Sequence, residues 1–175
     1  MQAQDFYFMR IALQLAEQSQ LNGDVPFGAV IVKNRCVLAA IGNSEHADQN
    51  VTRHAEVKAV SAASTLTGTR NLTGCTIYST VEPCPMCAGA IFHACIDRVV
   101  YGMSRDDLPH LFRSRAIRLW DLAQDWHYNP QITGGVLKDE AIAAFSNYND
   151  AFRVAHTHQD EESQPSGFFS TLALQ

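Results

Sequence analysis

Residues 76–102 read TIYSTV EPCPMCAGAIFHAC ID RVVYG. The first six are largely β-branched or aromatic, which reads as a strand over residues 76–81. Pro85 suits the first turn of a helix, where its missing N–H leaves no bond unmade. That helix is expected over residues 85–95, and a second short strand over residues 98–102. A strand, a helix and a strand in this order point to an α/β architecture with some parallel pairing.

Outward from there, the pattern continues on both sides. Asp5 is placed to cap a helix running to about Leu21, with Phe8, Ile11, Ala12 and Leu15 on its buried face. Asn22-Gly23-Asp24 stops it. Two β-rich runs over residues 27–33 and 36–41 are separated by Asn34-Arg35 and predict a hairpin. A polar loop over residues 42–53 leads into a helix over residues 54–66. Downstream, residues 108–125 are expected to be helical, with Leu111, Ile117, Leu119 and Leu122 as the apolar positions. Residues 131–136 read as a last strand, weakened by Gly134-Gly135. Residues 138–157 read as a helix with Ile142, Phe145, Tyr148 and Phe152 turned inward. One domain, residues 1–157, and a polar C-terminal tail, residues 158–175, account for the chain. The tail reads as mobile or as a lid, its Phe168-Phe169 docking either at the pocket mouth or on the final helix or a partner.

The chain has 175 residues, 46% of them hydrophobic and 18% charged, ordinary values for a globular protein. No run of about 18 apolar residues exists, so no membrane span is expected. The N-terminus lacks a basic segment followed by an apolar block, which makes the cytoplasm the expected location. The five cysteines are an odd number, which argues against a disulfide framework. Cys36, Cys75 and Cys95 lie in apolar contexts and read as small core residues. Residues 1–118 hold 11 Lys/Arg against 10 Asp/Glu, whereas residues 119–175 hold 2 against 8. That acidic C-terminal third argues against nucleic acid as a partner. Arg113, Arg115 and Arg118 read as a solvated basic face.

The chemistry concentrates in His54-Ala55-Glu56 and, after a 30-residue interval, in Pro83-Cys84-Pro85-Met86-Cys87. One imidazole and two thiolates suit zinc. Cys84 and Cys87 stand at i, i+3 in a first helical turn, so both sulfurs reach one ion. His54 and Glu56, two apart, cannot share a lateral helix face and can converge only off a helix end. Three protein ligands mark a catalytic zinc, because a structural zinc normally has four. The fourth position is left to water, which the metal acidifies. Glu56 is then free to move a proton to a leaving group. The candidates for a fourth ligand in a structural site are His93, Cys95 and Cys75, of which His93 and Cys95 lie too far along the helix from Cys84 to meet the same ion.

A His-x-Glu followed by Pro-Cys-x-x-Cys is the pattern of zinc nucleobase deaminases. On these residues the chain resembles the cytidine deaminase superfamily of zinc-dependent nucleobase and nucleoside deaminases. Pro26-Phe27-Gly28-Ala29-Val30, Gly42-Asn43, Glu82 through Ile91 and Arg98-Val99-Val100-Tyr101-Gly102 extend the likeness over roughly residues 5–155. Within the superfamily the chain is similar to the branch of bacterial guanine deaminases, cytosine deaminases and tRNA adenosine deaminases. The resemblance implies a three-layer α-β-α sandwich around a five-stranded mixed sheet, and a homodimer. It implies zinc on His54, Cys84 and Cys87, with Glu56 as the catalytic carboxylate. Asn43 would hold the base through its amide, Phe27 would stack on it, and the backbone near Ala55 and Glu82 would add contacts. Asp106 or Asp107 would correspond to the loop acid with which guanine deaminases hold the purine.

The periphery decides between substrates. tRNA adenosine deaminases carry a Gly/Ala/Ser-rich loop after the fourth strand and a basic final helix; residues 104–114 lack that loop and the final helix is acidic. The expected substrate is therefore a free nucleobase or similar small heterocycle, guanine first and cytosine next, with ammonia released. The alternatives are a tRNA-specific adenosine deaminase and, more remotely, a non-catalytic structural zinc module.

Overall fold

A computed structural model describes residues 2–112, 116–145 and 148. Its five strands are β1 (Gly28–Lys33), β2 (Cys36–Gly42), β3 (Cys75–Val81), β4 (Arg98–Met103) and β5 (Gln131–Thr133). The helices are α1 (Ala3–Leu21), α2 (Ala55–Thr67), α3 (Pro85–His93), α4 (Leu119–Asp125) and α5 (Lys138–Ala143). The strands form one sheet in the order β2-β1-β3-β4-β5. β1 runs antiparallel to β2 and β3, whereas β3, β4 and β5 are mutually parallel. This is the expected five-stranded mixed sheet. Among the described residues no helix is long and apolar enough to cross a membrane.

The alternation of side chains along a strand assigns the two faces. Val30, Val32, Tyr78 and Val100 pack with Phe8, Met9 and Ala12 of α1 on one face. Ala29, Ile31, Ile77 and Val99 pack with Ala55, Ala59, Ala63, Ala88 and Ile91 of α2 and α3 on the other. The result is the three-layer sandwich. α1 approaches the sheet closely because position 28 is glycine: a Cβ there would lie 2.0 Å from the Ala12 carbonyl oxygen. Asn34 and Arg35 both have positive φ, the conformation of a two-residue turn matched to hairpin twist.

Four expectations need correction. α1 begins at Ala3 with Gln2 as its N-cap, and Asp5 sits inside the first turn, accepting from the Gln2 N–H at 2.7 Å. Residues 108–125 are not one helix. A 3-10 turn over Arg105–Asp107 ends at Leu108, which leaves the helical region ahead of Pro109 (φ −131°, ψ 67°), and α4 starts only at Leu119. Ile117 is 57% exposed. β5 stops at Thr133, short of Val136; Gly134 beyond it lies against the Tyr101 ring, where a Cβ would come 2.5 Å from a ring carbon. Of the three cysteines read as core, only Cys75 is buried; Cys36 is exposed at the start of β2 and Cys95 is half-buried.

α5 is described from Lys138 to Ala143, and Phe145 beyond it is buried as expected. Phe152, the tail over residues 158–175 with Phe168-Phe169, and Arg113 and Arg115 lie outside the described residues.

Candidate metal centre and active site

Two helix starts build the centre. His54 is the N-cap of α2 and Cys84 the N-cap of α3, with Pro85 at the first helical position. α2 and α3 pack side by side on one face of the sheet, so both N-termini meet. Neither cap residue has a side-chain capping bond, so the imidazole and the thiol are left for each other. His54 Nδ1 lies 3.4 Å from Cys87 Sγ and 3.7 Å from Cys84 Sγ, and the sulfurs are 3.5 Å apart. The three donor atoms lie within 4.8 Å of one another, and among the described residues no other group of three is so placed. His93, Cys75 and Cys95 are not part of it, so no fourth ligand from them completes the set.

The donor set fits zinc: one imidazole nitrogen and two sulfurs crowded around one point. The hydrogen bond between the two thiols, with His54 beside it, holds Cys84 far below the ordinary thiol range. Cys87 is pushed up, first by that same bond and then by burial. A divalent cation held there would require both thiols to be deprotonated.

Glu56 follows His54 by two residues, in the first turn of α2, and is 6% exposed. Ser79 Oγ of β3 lies 3.2 Å from Glu56 Oε1 and 2.8 Å from the Val81 carbonyl oxygen, so its one proton is shared between them, while Glu56 Oε2 is buried without a hydrogen-bond partner. Burial raises its pKa and repulsion from Cys84 adds to the rise, while its own backbone N–H, attraction to His54 and the Cys87 thiol oppose it. A buried carboxyl with one free oxygen beside a ligand set is suited to proton transfer.

Asn43 ends the hairpin, its backbone N–H donating to the Phe27 carbonyl at 2.9 Å. Its Nδ2 donates to Asp24, whose carboxylate also accepts from Val25 N (2.9 Å), His46 N (3.0 Å) and Ala47 N (3.1 Å). Asn43 Oδ1 is buried and unpartnered. The orientation of the amide is thus fixed, because reversing it would turn its oxygen toward a carboxylate. Burial pushes the Asp24 pKa up, but these donors more than offset it and the net shift is down.

Phe27 is nearly buried, its ring centroid 6.2 Å from that of His54. Phe112 lies nearly parallel to it at 6.2 Å, and Phe145 packs against both at 5.7 and 5.4 Å. The Arg105 guanidinium caps Phe112 at 4.7 Å. Phe112 was not singled out in the sequence, since its meeting with Phe27 is a contact across 85 residues that no local spacing announces.

Ala55 is buried at the first position of α2. The Glu82 backbone N–H donates to Met103 O at 2.8 Å. The Glu82 side chain carries a role the sequence did not reveal. Its carboxylate takes Arg118 at 2.5 Å, Ser104 Oγ at 3.1 Å and the Leu119 N–H at 3.3 Å. Arg118 is therefore no solvated face: it caps α4 and pairs with Glu82 and Asp106. Asp107 pairs with Lys138 at 2.6 Å and accepts from Ser104 N at 2.8 Å. Both loop acids thus already have partners within the chain.

Comparison with known proteins agrees with this geometry. Residues 2–103 match the cytidine and deoxycytidylate deaminase zinc-binding region, and the chain belongs to that family. It is a deaminase, a hydrolase of a carbon–nitrogen bond, of a zinc-binding family.

The chain is 34% identical to the tRNA-specific adenosine deaminase of Bacillus subtilis, covering 83% of this chain and 88% of the relative. It is 34% identical to a probable cytosine deaminase of Schizosaccharomyces pombe, covering 85% and 94%. It is 40% identical over 74% of its length to the tRNA(Ile)-lysidine synthase of Deinococcus deserti, of which it spans 24%. A chain solved in work on A-to-I editing by tRNA:A34 deaminases superimposes with a TM-score of 0.66 at 31% identity, covering 79% of this chain and 98% of that one. Guanine deaminase of Bacillus subtilis gives 0.59 at 36% identity, covering 63% and 70%.

Proposed function

We propose that the protein hydrolyses the exocyclic amine of a free nucleobase, guanine first, with zinc held by His54, Cys84 and Cys87. The observation that carries the reading is Glu56: a buried carboxyl with a free Oε2, held by Ser79 next to the ligand set. When bound, the ion supplies Lewis acidity that makes water a stronger acid and nucleophile. Glu56 takes a proton at Oε2 and passes it to the leaving amine, while Ser79 keeps Oε1 in place. One water is consumed, the amine leaves as ammonia and a carbonyl takes its place.

The remaining residues bind. Asn43 Oδ1 accepts from a ring N–H of the base, because its Nδ2 is already committed to Asp24. Phe27, its ring backed by Phe112, gives a planar base an apolar surface to stack on. The backbone N–H groups at the start of α2, Ala55 among them, and the chain at Glu82 border the same space. Homodimerisation, as in the resemblance, is part of this proposal.

A second reading, tRNA-specific adenosine deaminase, is favoured by the Bacillus subtilis relative, which matches over most of both chains. Against it stands the balance of residues 119–175, 2 basic to 8 acidic. Ammonia release from guanine, cytosine, adenine, their nucleosides and a tRNA anticodon stem-loop separates the two. Turnover of free guanine is expected. Conversion confined to adenosine in the stem-loop would replace the first reading by the second.

A further inference from the structure

We propose that Glu45 is a positioning residue for the metal centre, holding the His54 ring by Nε2 so that Nδ1 faces the two cysteine sulfurs. The inference rests on the reading that zinc sits among His54, Cys84 and Cys87. A neutral imidazole has one donor and one acceptor nitrogen. His54 Nδ1 points at the sulfurs, at 3.4 and 3.7 Å. Nε2 lies 3.2 Å from Glu45 Oε2. With its proton on Nε2, facing that carboxylate across the 3.2 Å contact, the ring leaves the Nδ1 lone pair for a metal. A carboxylate behind a ligating histidine both sets the tautomer and raises the basicity of the ligand.

The loop that carries Glu45 is pinned on both sides. Lys58 of α2 donates to Gly42 O at 2.9 Å and to Ser44 Oγ at 2.6 Å. Ser44 N donates to Arg53 O, and Asn50 N to Glu45 O. Asp24 takes the His46 and Ala47 N–H groups. The His54 backbone is fixed as a helix cap, but its ring can still turn about χ1 and χ2; the Glu45 contact opposes that turning. Both side chains are partly shielded, at 18% and 28% exposure, so the contact is less screened than one on open surface.

The test measures zinc affinity of the full-length holoprotein by competition with a chromophoric chelator, in the parent, Glu45→Ala, Glu45→Gln and Asp48→Ala. Asp48 lies in the same loop and binds Ser44 and Arg53, with neither bond reaching His54. Glu45→Ala is expected to lower zinc affinity about 10–100-fold. Glu45→Gln, which keeps an acceptor oxygen, should recover part of the loss, and Asp48→Ala should match the parent. With cobalt(II) in place of zinc, the thiolate-to-metal charge-transfer band should change in Glu45→Ala and stay unchanged in Asp48→Ala. Parent-like affinity and spectrum in Glu45→Ala would overturn the proposal, and so would an equal loss in Asp48→Ala, which would assign the effect to loop support. A parent that holds no zinc would overturn the metal reading and this inference with it, an outcome distinct from a loss confined to the variants.

Discussion

Tyr78 and Ser79 are neighbours on β3, and each serves a buried carboxylate on an opposite face of the sheet. On the α1 face, Asp5 accepts from Arg98 at 2.7 and 3.0 Å, from Tyr78 Oη at 3.2 Å and from Gln2 N at 2.7 Å. On the α2 face, Glu56 accepts from Ser79 at 3.2 Å and leaves Oε2 with no partner. Both carboxylates are nearly or fully buried. The Asp5 pKa falls, since Arg98 and its other donors more than offset the rise from burial; the Glu56 pKa rises, because burial dominates there. A buried carboxylate whose partners are complete ties a helix to a sheet. One whose partners are incomplete has an oxygen left over, and in the proposed function that oxygen carries protons beside His54, Cys84 and Cys87, the group that could hold a metal.

The contrast breaks if the two carboxylates are interchangeable in effect. Glu56→Gln is expected to show the largest change: turnover should fall by at least about 10²–10⁴-fold, the range for a positioned proton-transfer group. Its melting temperature should stay the same or rise, since an under-partnered buried carboxyl is removed. Asp5→Ala should do the opposite. It leaves the buried Arg98 unpaired, at a cost of about 3–5 kcal/mol, while turnover per folded molecule is retained. Thermal melts and steady-state assays on the same preparations check both.

The pH dependence sharpens the comparison. Because the folded-state pKa of Asp5 is lowered, its stabilising contribution is fully present above the unfolded value of about 3.9 and is lost as pH falls through the folded value. Urea midpoints of the parent and Asp5→Asn should therefore differ most near neutrality and converge as the pH is taken down through the acid range. Ser79→Ala should give the smallest effect. It removes one hydrogen bond to Glu56, worth about 0.5–1.5 kcal/mol, and should lower turnover far less than Glu56→Gln.

How much of this was legible follows the range of the interactions. The β3–α3–β4 unit could be read directly, because strand propensity, a proline in a first turn and ligand spacing are all local. So could the convergence of His54 and Glu56 at a helix end, which their two-residue spacing demands. The segment after β4 could not. Apolar residues at Leu111, Ile117, Leu119 and Leu122 suggest a helix, but Leu108 ahead of Pro109 leaves the helical region, and Arg118, the N-cap of α4, pairs with Glu82 and Asp106. Those partners are 36 and 12 residues away. The same holds for the Asp24 carboxylate that orients Asn43 and for Phe112 over Phe27. The candidate ligand set is written in short spacing, whereas the surroundings of Asn43 and Phe27 are written in contacts that only the folded chain brings together.

The account's central claim is that His54, Cys84 and Cys87 hold the metal and Glu56, beside them, moves the proton. Metal analysis of the full chain, purified without added metal, tests it on the parent, Cys84→Ala and Glu56→Gln alongside their turnover. The account predicts about one zinc per chain in the parent and in Glu56→Gln, with turnover lost only in the latter, and zinc lost from Cys84→Ala. Full zinc in Cys84→Ala, or near-normal turnover in zinc-loaded Glu56→Gln, would contradict it.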